Sequence, residues 1–101
     1  MEDFAKVFTE VNVLLAPTTP VTALKVGAGK DQAMFGELMD ILVEPSTIAG
    51  LPGISLPCGF NEQGLPIGMQ LIGPQWSEEL LFLLGEQFQQ ETEFHLKTPI
   101  L

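Results

Sequence analysis

The sequence predicts a mixed α/β fold, with elements in the order helix, strand, helix, strand, strand, helix. Three observations carry that reading. Apolar residues recur at helical spacing in three separate stretches, around Phe4, Leu38 and Leu84. Three short apolar runs, "NVLLAP", "GISLPCGF" and "PIGMQLIG", are bounded by proline, glycine or a turn, as buried strands are. The last two flank "NEQG", a composition suited to reversing the chain.

Taken in order, Phe4, Val7, Phe8 and Val11 place a short amphipathic helix over residues 2–10. "NVLLAP" follows as a continuous apolar run stopped by Pro17, the pattern of a strand buried on both faces. "PTTP" can continue neither a helix nor a central strand. Residues 25–31, "KVGAGKD", read as a loop. Phe35, Leu38, Met39 and Leu42 form the second helical stripe, which Pro45 is expected to end. In the strand at 66–73, Ile67, Met69 and Leu71 share one face. Ser77 is placed to cap the last helix, with Glu78 and Glu79 in its first turn, where the helix dipole favours negative charge. Leu80, Leu81, Leu84 and Phe88 then give it an apolar face as far as Thr92.

Length and composition narrow the function classes. A chain of 101 residues holds at most one domain. Hydrophobic residues make up 46%, and the ten glycines raise the apolar class to about 56%, against a usual ~45–50%. Charged residues are 17%, against a typical ~25%. A small domain has the most surface per residue and should be the more polar one, so this composition is that of a piece of a larger core. Four Lys+Arg against thirteen Asp+Glu leave a net charge of -9, which disfavours nucleic acid and anionic membranes as direct partners. A single cysteine, Cys58, excludes an internal disulfide and a cysteine zinc cluster and fits a reducing compartment. The start "MEDFAKVF" lacks the apolar core of a secretory signal, and no run approaches the roughly 18 apolar residues of a membrane span. A cytoplasmic location is expected.

Few residues can carry chemistry. Glu37, Asp40 and Glu44 recur at i, i+3 and i+7, on the helix side away from the Phe35–Leu42 stripe. They read either as a solvated face or as carboxylates offered to a cation or a substrate ammonium. Asp40, between Met39 and Ile41, has the most apolar surroundings and is the candidate for a partly buried binding group. More ligands than these would be needed for a metal site. His95 lies just past the last helix and suits the free carbonyls there. Cys58, in "LPCG", has no partner that would activate a thiol and reads as buried and inert. Ser46, Thr47 and Ser55 stand in no nucleophile elbow and have no recognisable base. "GAG" near residue 28 lacks the frame of a dinucleotide site, and Trp76 and Met34 read as packing residues. No complete catalytic apparatus is present.

Four motifs in order are more specific: "VNVLLAPTTPVTALKVG", a helix with an aspartate leading into "EPSTIAGLPGISLPCGF", "GLPIGMQLIGP", and a final amphipathic helix. Together they resemble the C-terminal end of the amidase-signature enzymes, and within them the glutamine-hydrolysing subunits of tRNA-dependent amidotransferases. The resemblance covers essentially all 101 residues. It implies that residues 1–101 are the C-terminal portion of one α/β amidase domain, with a mixed sheet covered by helices and the remainder supplied by an upstream portion. It also implies a Ser-Ser-Lys triad, of which nothing carries over here. No "GGSSGGS"-like run occurs, and neither Lys25 nor Lys30 stands in the corresponding motif. Asp40 alone maps, onto the aspartate that holds the α-ammonium of glutamine. Partners implied are the B and C subunits of the amidotransferase; ATP and Mg²⁺ belong to the partner subunit, and no cofactor belongs to this chain. The alternatives are another amidase-signature enzyme acting on a different amide, or a non-catalytic partner-binding domain.

Overall fold

The computed structural model describes residues 2–26 and 38–100. Helix α1 (Glu2–Val7) leads into strand β1 (Leu14–Pro17); after a helical stretch at 38–40 come α2 (Glu44–Ile48), β2 (Gly53–Phe60), β3 (Pro66–Ile72) and α3 (Glu78–Glu91). A 3-10 turn, Phe94–Leu96, ends the described elements. The three strands form one antiparallel sheet in the order β1-β3-β2. The fold is therefore mixed α/β, as the residue pattern predicts.

Strand β3 is the centre of the sheet and forms a hairpin with β2. Ile54 pairs with Leu71 and Leu56 with Met69, so alternate residues of both strands line one face. Asn61 closes the turn: its side-chain oxygen accepts hydrogen bonds from the backbone N–H groups of Gln63 and Leu65, each at 2.9 Å. The register shifts between Pro57 and Gly59, which leaves Cys58 on a bulge. That is why Cys58 is half-buried instead of enclosed.

Helix α3 covers the Ile54–Leu56–Met69–Leu71 face. Leu56, Leu71 and Leu81 form the buried cluster, with Val13, Ile54, Met69, Leu84 and Phe88 packed around it. The opposite face carries Ser55, Gly68, Gln70 and Ile72, by strand alternation. Segment 42–49 lies over this second face, tied to it through the Gln70 side chain. Two layers of unlike character thus share one sheet.

Several local expectations change. Pro45 opens a helix instead of ending one, because proline in the first helical turn needs no N–H partner and brings a suitable φ. The helical stretch at 38–40 gives way to tight turns at 41–43. Gly50 then closes α2 at φ 72°, where the N–H of Gly50 bonds to the Thr47 carbonyl and that of Leu51 to the Ser46 carbonyl. This is a Schellman motif, and the left-handed φ is what asks for glycine. Helix α1 stops at Val7, with residues 8–10 in turns, and the Thr9 hydroxyl donates to the Lys6 carbonyl. Ser77 precedes α3 but does not cap it; its hydroxyl donates to the Pro74 carbonyl at 2.6 Å.

The apolar excess is visible as uncovered surface. Strand β1 lies at the sheet edge, and Leu15 within it is 68% exposed, so its outward face has no cover among the described residues. Ile48 on α2 is 83% exposed. The radius of gyration is 15.3 Å, against roughly 13 Å for a compact domain of this length. Leu81→Ala, which empties the centre of the cluster, should lower stability in urea by about 2–4 kcal/mol. The neighbouring Phe82→Ala, at a position facing solvent, should change it by less than ~0.5 kcal/mol.

Candidate functional site

The second face of the sheet carries the polar groups. Thr18, just past β1, is anchored by its backbone N–H, which donates to the Gly68 carbonyl at 3.1 Å. Its hydroxyl lies 2.7 Å from that of Ser55. Both hydroxyls sit over Gly68, where a Cβ would come within 3.1 Å of Thr18 Oγ1 and 3.3 Å of Ser55 Oγ. The absent side chain at residue 68 is what leaves room for the pair.

Beside them, Gln70 is 4% exposed and donates both protons of its amide, to the Leu42 carbonyl at 2.8 Å and the Pro17 carbonyl at 3.1 Å. Ser46, also buried, donates to the Val43 carbonyl at 3.1 Å, and Thr47 Oγ1 to the same carbonyl at 2.9 Å. Between these groups lies a cleft of about 220 Å³ whose polar lining is Thr18, Ser46, Thr47, Ser55 and Gln70. Val43 and Thr47 line both this cleft and an adjoining recess that holds Asp40 and Glu44. Hydroxyls at that position can hydrogen-bond a small polar molecule, and Asp40 adds a negative charge at the rim.

Sequence reasoning and structure agree unevenly on single residues. Asp40 is exposed, where the sequence predicts a partly buried carboxylate; its neighbour Ile41 is itself 52% exposed, so the flanking residue does not enclose it. Asp40 and Glu44 do not share one helix, because the turns at 41–43 intervene, yet both reach the same recess. Glu37, Lys30 and Met34 lie outside the described residues. Lys25 is exposed. His95 is exposed in the 3-10 turn, against a surface shared with Pro57, Phe60 and Phe94.

Ser46 and Ser55 have hydrogen-bond partners, none of which is a base. Among the described residues, no three of His, Cys, Asp and Glu gather as a metal site. Nor is any helix there long and apolar enough to cross a membrane. Two further residues stand apart from the sequence reading. Trp76 is 90% exposed with φ 68°, so it does not pack against the described residues. Gln70 lies inside the motif "GLPIGMQLIGP", where one polar residue in an apolar run is a visible signal.

Comparison with known proteins extends these observations. The family model described as Amidase matches residues 1–82. The A subunit of glutamyl-tRNA(Gln) amidotransferase from Rippkaea orientalis is 46% identical over 100 residues, which cover 99% of this chain and 21% of that protein. The protein of the same name from Lactococcus lactis subsp. cremoris is 46% identical over 101 residues, covering 100% of this chain and 21% of that one. The chain thus spans about a fifth of the length of these curated relatives. Among solved structures, the amidotransferase A subunit from Thermotoga maritima superposes with a TM-score of 0.74 at 40% identity, covering 80% of this chain and 18% of that one. A crystal structure described as an amidase gives a TM-score of 0.77 at 24% identity, covering 89% of this chain and 22% of that one; this likeness concerns the fold alone.

The chain has one tryptophan and no tyrosine, so its emission reports on Trp76. The fluorescence of the chain alone should be red-shifted and freely quenched by acrylamide. A blue-shifted, protected emission would contradict the exposed indole.

Proposed function

The chain belongs to the amidase family, and we propose that it forms the C-terminal part of the A subunit of a glutamyl-tRNA(Gln) amidotransferase. The observation that carries this reading is identity of 46% across essentially the whole chain with relatives of that name. In this reading residues 1–101 are one end of an amidase domain with a mixed sheet, and the upstream portion of the subunit supplies the Ser-Ser-Lys triad. The uncovered Leu15 and Ile48 are then surfaces that the upstream portion covers.

Glutamine is hydrolysed through an acyl-enzyme formed on the upstream serine. Ammonia so released passes to the B subunit, where Glu-tRNA(Gln), activated with ATP in the presence of Mg²⁺, becomes Gln-tRNA(Gln). The C subunit wraps around the A subunit. The acidic balance of this chain suits a role away from the tRNA. Its unpaired Cys58 suits a reducing cytoplasm.

Asp40 takes the α-ammonium of glutamine in this scheme. A carboxylate is the acceptor that selects an amino-acid amide over a simple amide, since a charge-assisted hydrogen bond is about twice as strong as a neutral one. The neighbouring cleft of hydroxyls supports the assignment, because it gives the polar remainder of a small substrate somewhere to bind.

Asp40→Ala in the full-length enzyme should raise KM for glutamine by about 10- to 100-fold, the equivalent of one charged hydrogen bond, with a smaller change in kcat. An unchanged KM would instead favour an amidase-signature enzyme acting on an amide without an ammonium group.

A further inference from the structure

We propose that Gln70 is a positioning residue for Asp40, holding the turn that presents its carboxylate to the substrate ammonium. The inference rests on the reading of Asp40 given above. Gln70 stands mid-strand in β3, opposite Ala16 on one side and Ser55 on the other. It is 4% exposed and spends both amide protons on backbone carbonyls of two different segments.

The Leu42 carbonyl is the one that matters for Asp40. Leu42 follows it with only Ile41 between, and tight turns join them: the N–H of Val43 bonds to the Asp40 carbonyl at 3.0 Å, and that of Ile41 to the Leu38 carbonyl at 3.4 Å. Ser46 and Thr47 also bind this stretch, through the Val43 carbonyl, but both lie within four residues of it and move with it. Gln70 reaches it from the sheet, 28 residues away in sequence. Its bond therefore sets where the turn sits relative to β3, and the second bond, to Pro17, fixes the amide plane that aims it.

A primary amide suits the task chemically. It supplies two donors in a fixed plane without bringing charge into a buried position, whereas a lysine would compete with the substrate ammonium for Asp40. A methionine has similar length and no donor, so Gln70→Met removes the two bonds while largely keeping the volume.

The test uses the full-length enzyme and two substrates, glutamine and glutaramate, which is glutamine without its α-amino group. In Gln70→Met, KM for glutamine should rise about tenfold, as when a substrate-positioning group shifts by a fraction of an ångström, while kcat and the kinetics on glutaramate stay nearly unchanged. In an Asp40→Ala background the same substitution should cause no further loss. Should Gln70→Met fail to fold, Gln70→Asn, which keeps the donor on a shorter arm, should give the same substrate-selective rise. Equal losses on both substrates, or an additive loss in the Asp40→Ala background, would reduce Gln70 to a scaffold residue and overturn the proposal. If Asp40→Ala itself spares KM for glutamine, the ammonium assignment falls, and the role of Gln70 with it.

Discussion

A buried primary amide ties the turn before α2 to the sheet. The two hydrogen bonds of Gln70 join the central strand to the end of β1 and to the turn before α2, segments far apart in the chain. Burying that amide unpaired would cost a few kcal/mol, so the fold that buries it must bring Pro17 and Leu42 alongside β3. Antiparallel pairing already places β1 next to β3; nothing in the sheet ladder does the same for segment 42–49. The side chain of one glutamine ties that segment to the central strand.

From that constraint the sheet acquires two unlike faces. One is an ordinary apolar layer, in which Leu56 and Leu71 meet Leu81 of α3. On the other, hydroxyls from Thr18 and Ser55 stand over Gly68 beside the buried amide. A polar layer at a strand centre is costly for a scaffold and useful for a site, since buried donors and acceptors are held in fixed directions. Asp40 lies at the edge of this layer, not within it. The Asp40 carboxylate, Leu15, Ile48 and Trp76 are all exposed, in a chain that spans about a fifth of the length of its curated relatives.

Periodicity reveals the hairpin and the last helix well. Residues 53–60 form a strand with the limits read from "GISLPCGF", and α3 differs from expectation by one residue at its end, since both have strong apolar patterns bounded by breakers. The region around Pro45 is less legible, because a proline that stops one helix and a proline that opens the next look alike in sequence. Burial is the weakest inference. "NVLLAP" has the composition of a strand covered on both faces, but β1 lies at the sheet edge with Leu15 68% exposed. Spacing and apolar neighbours single out Asp40, and motif resemblance gives it a role. Gln70 lies within the motif "GLPIGMQLIGP", but only the folded arrangement shows which carbonyls it reaches.

The decisive measurement is glutamine hydrolysis by this chain mixed with the upstream portion of an amidotransferase A subunit, compared with each piece alone. Activity confined to the mixture is the predicted result, because the proposed reading puts the substrate-binding carboxylate and the triad on separate pieces of one domain. Hydrolysis by this chain alone would contradict it, as would a mixture that binds tightly, folds and still leaves glutamine intact.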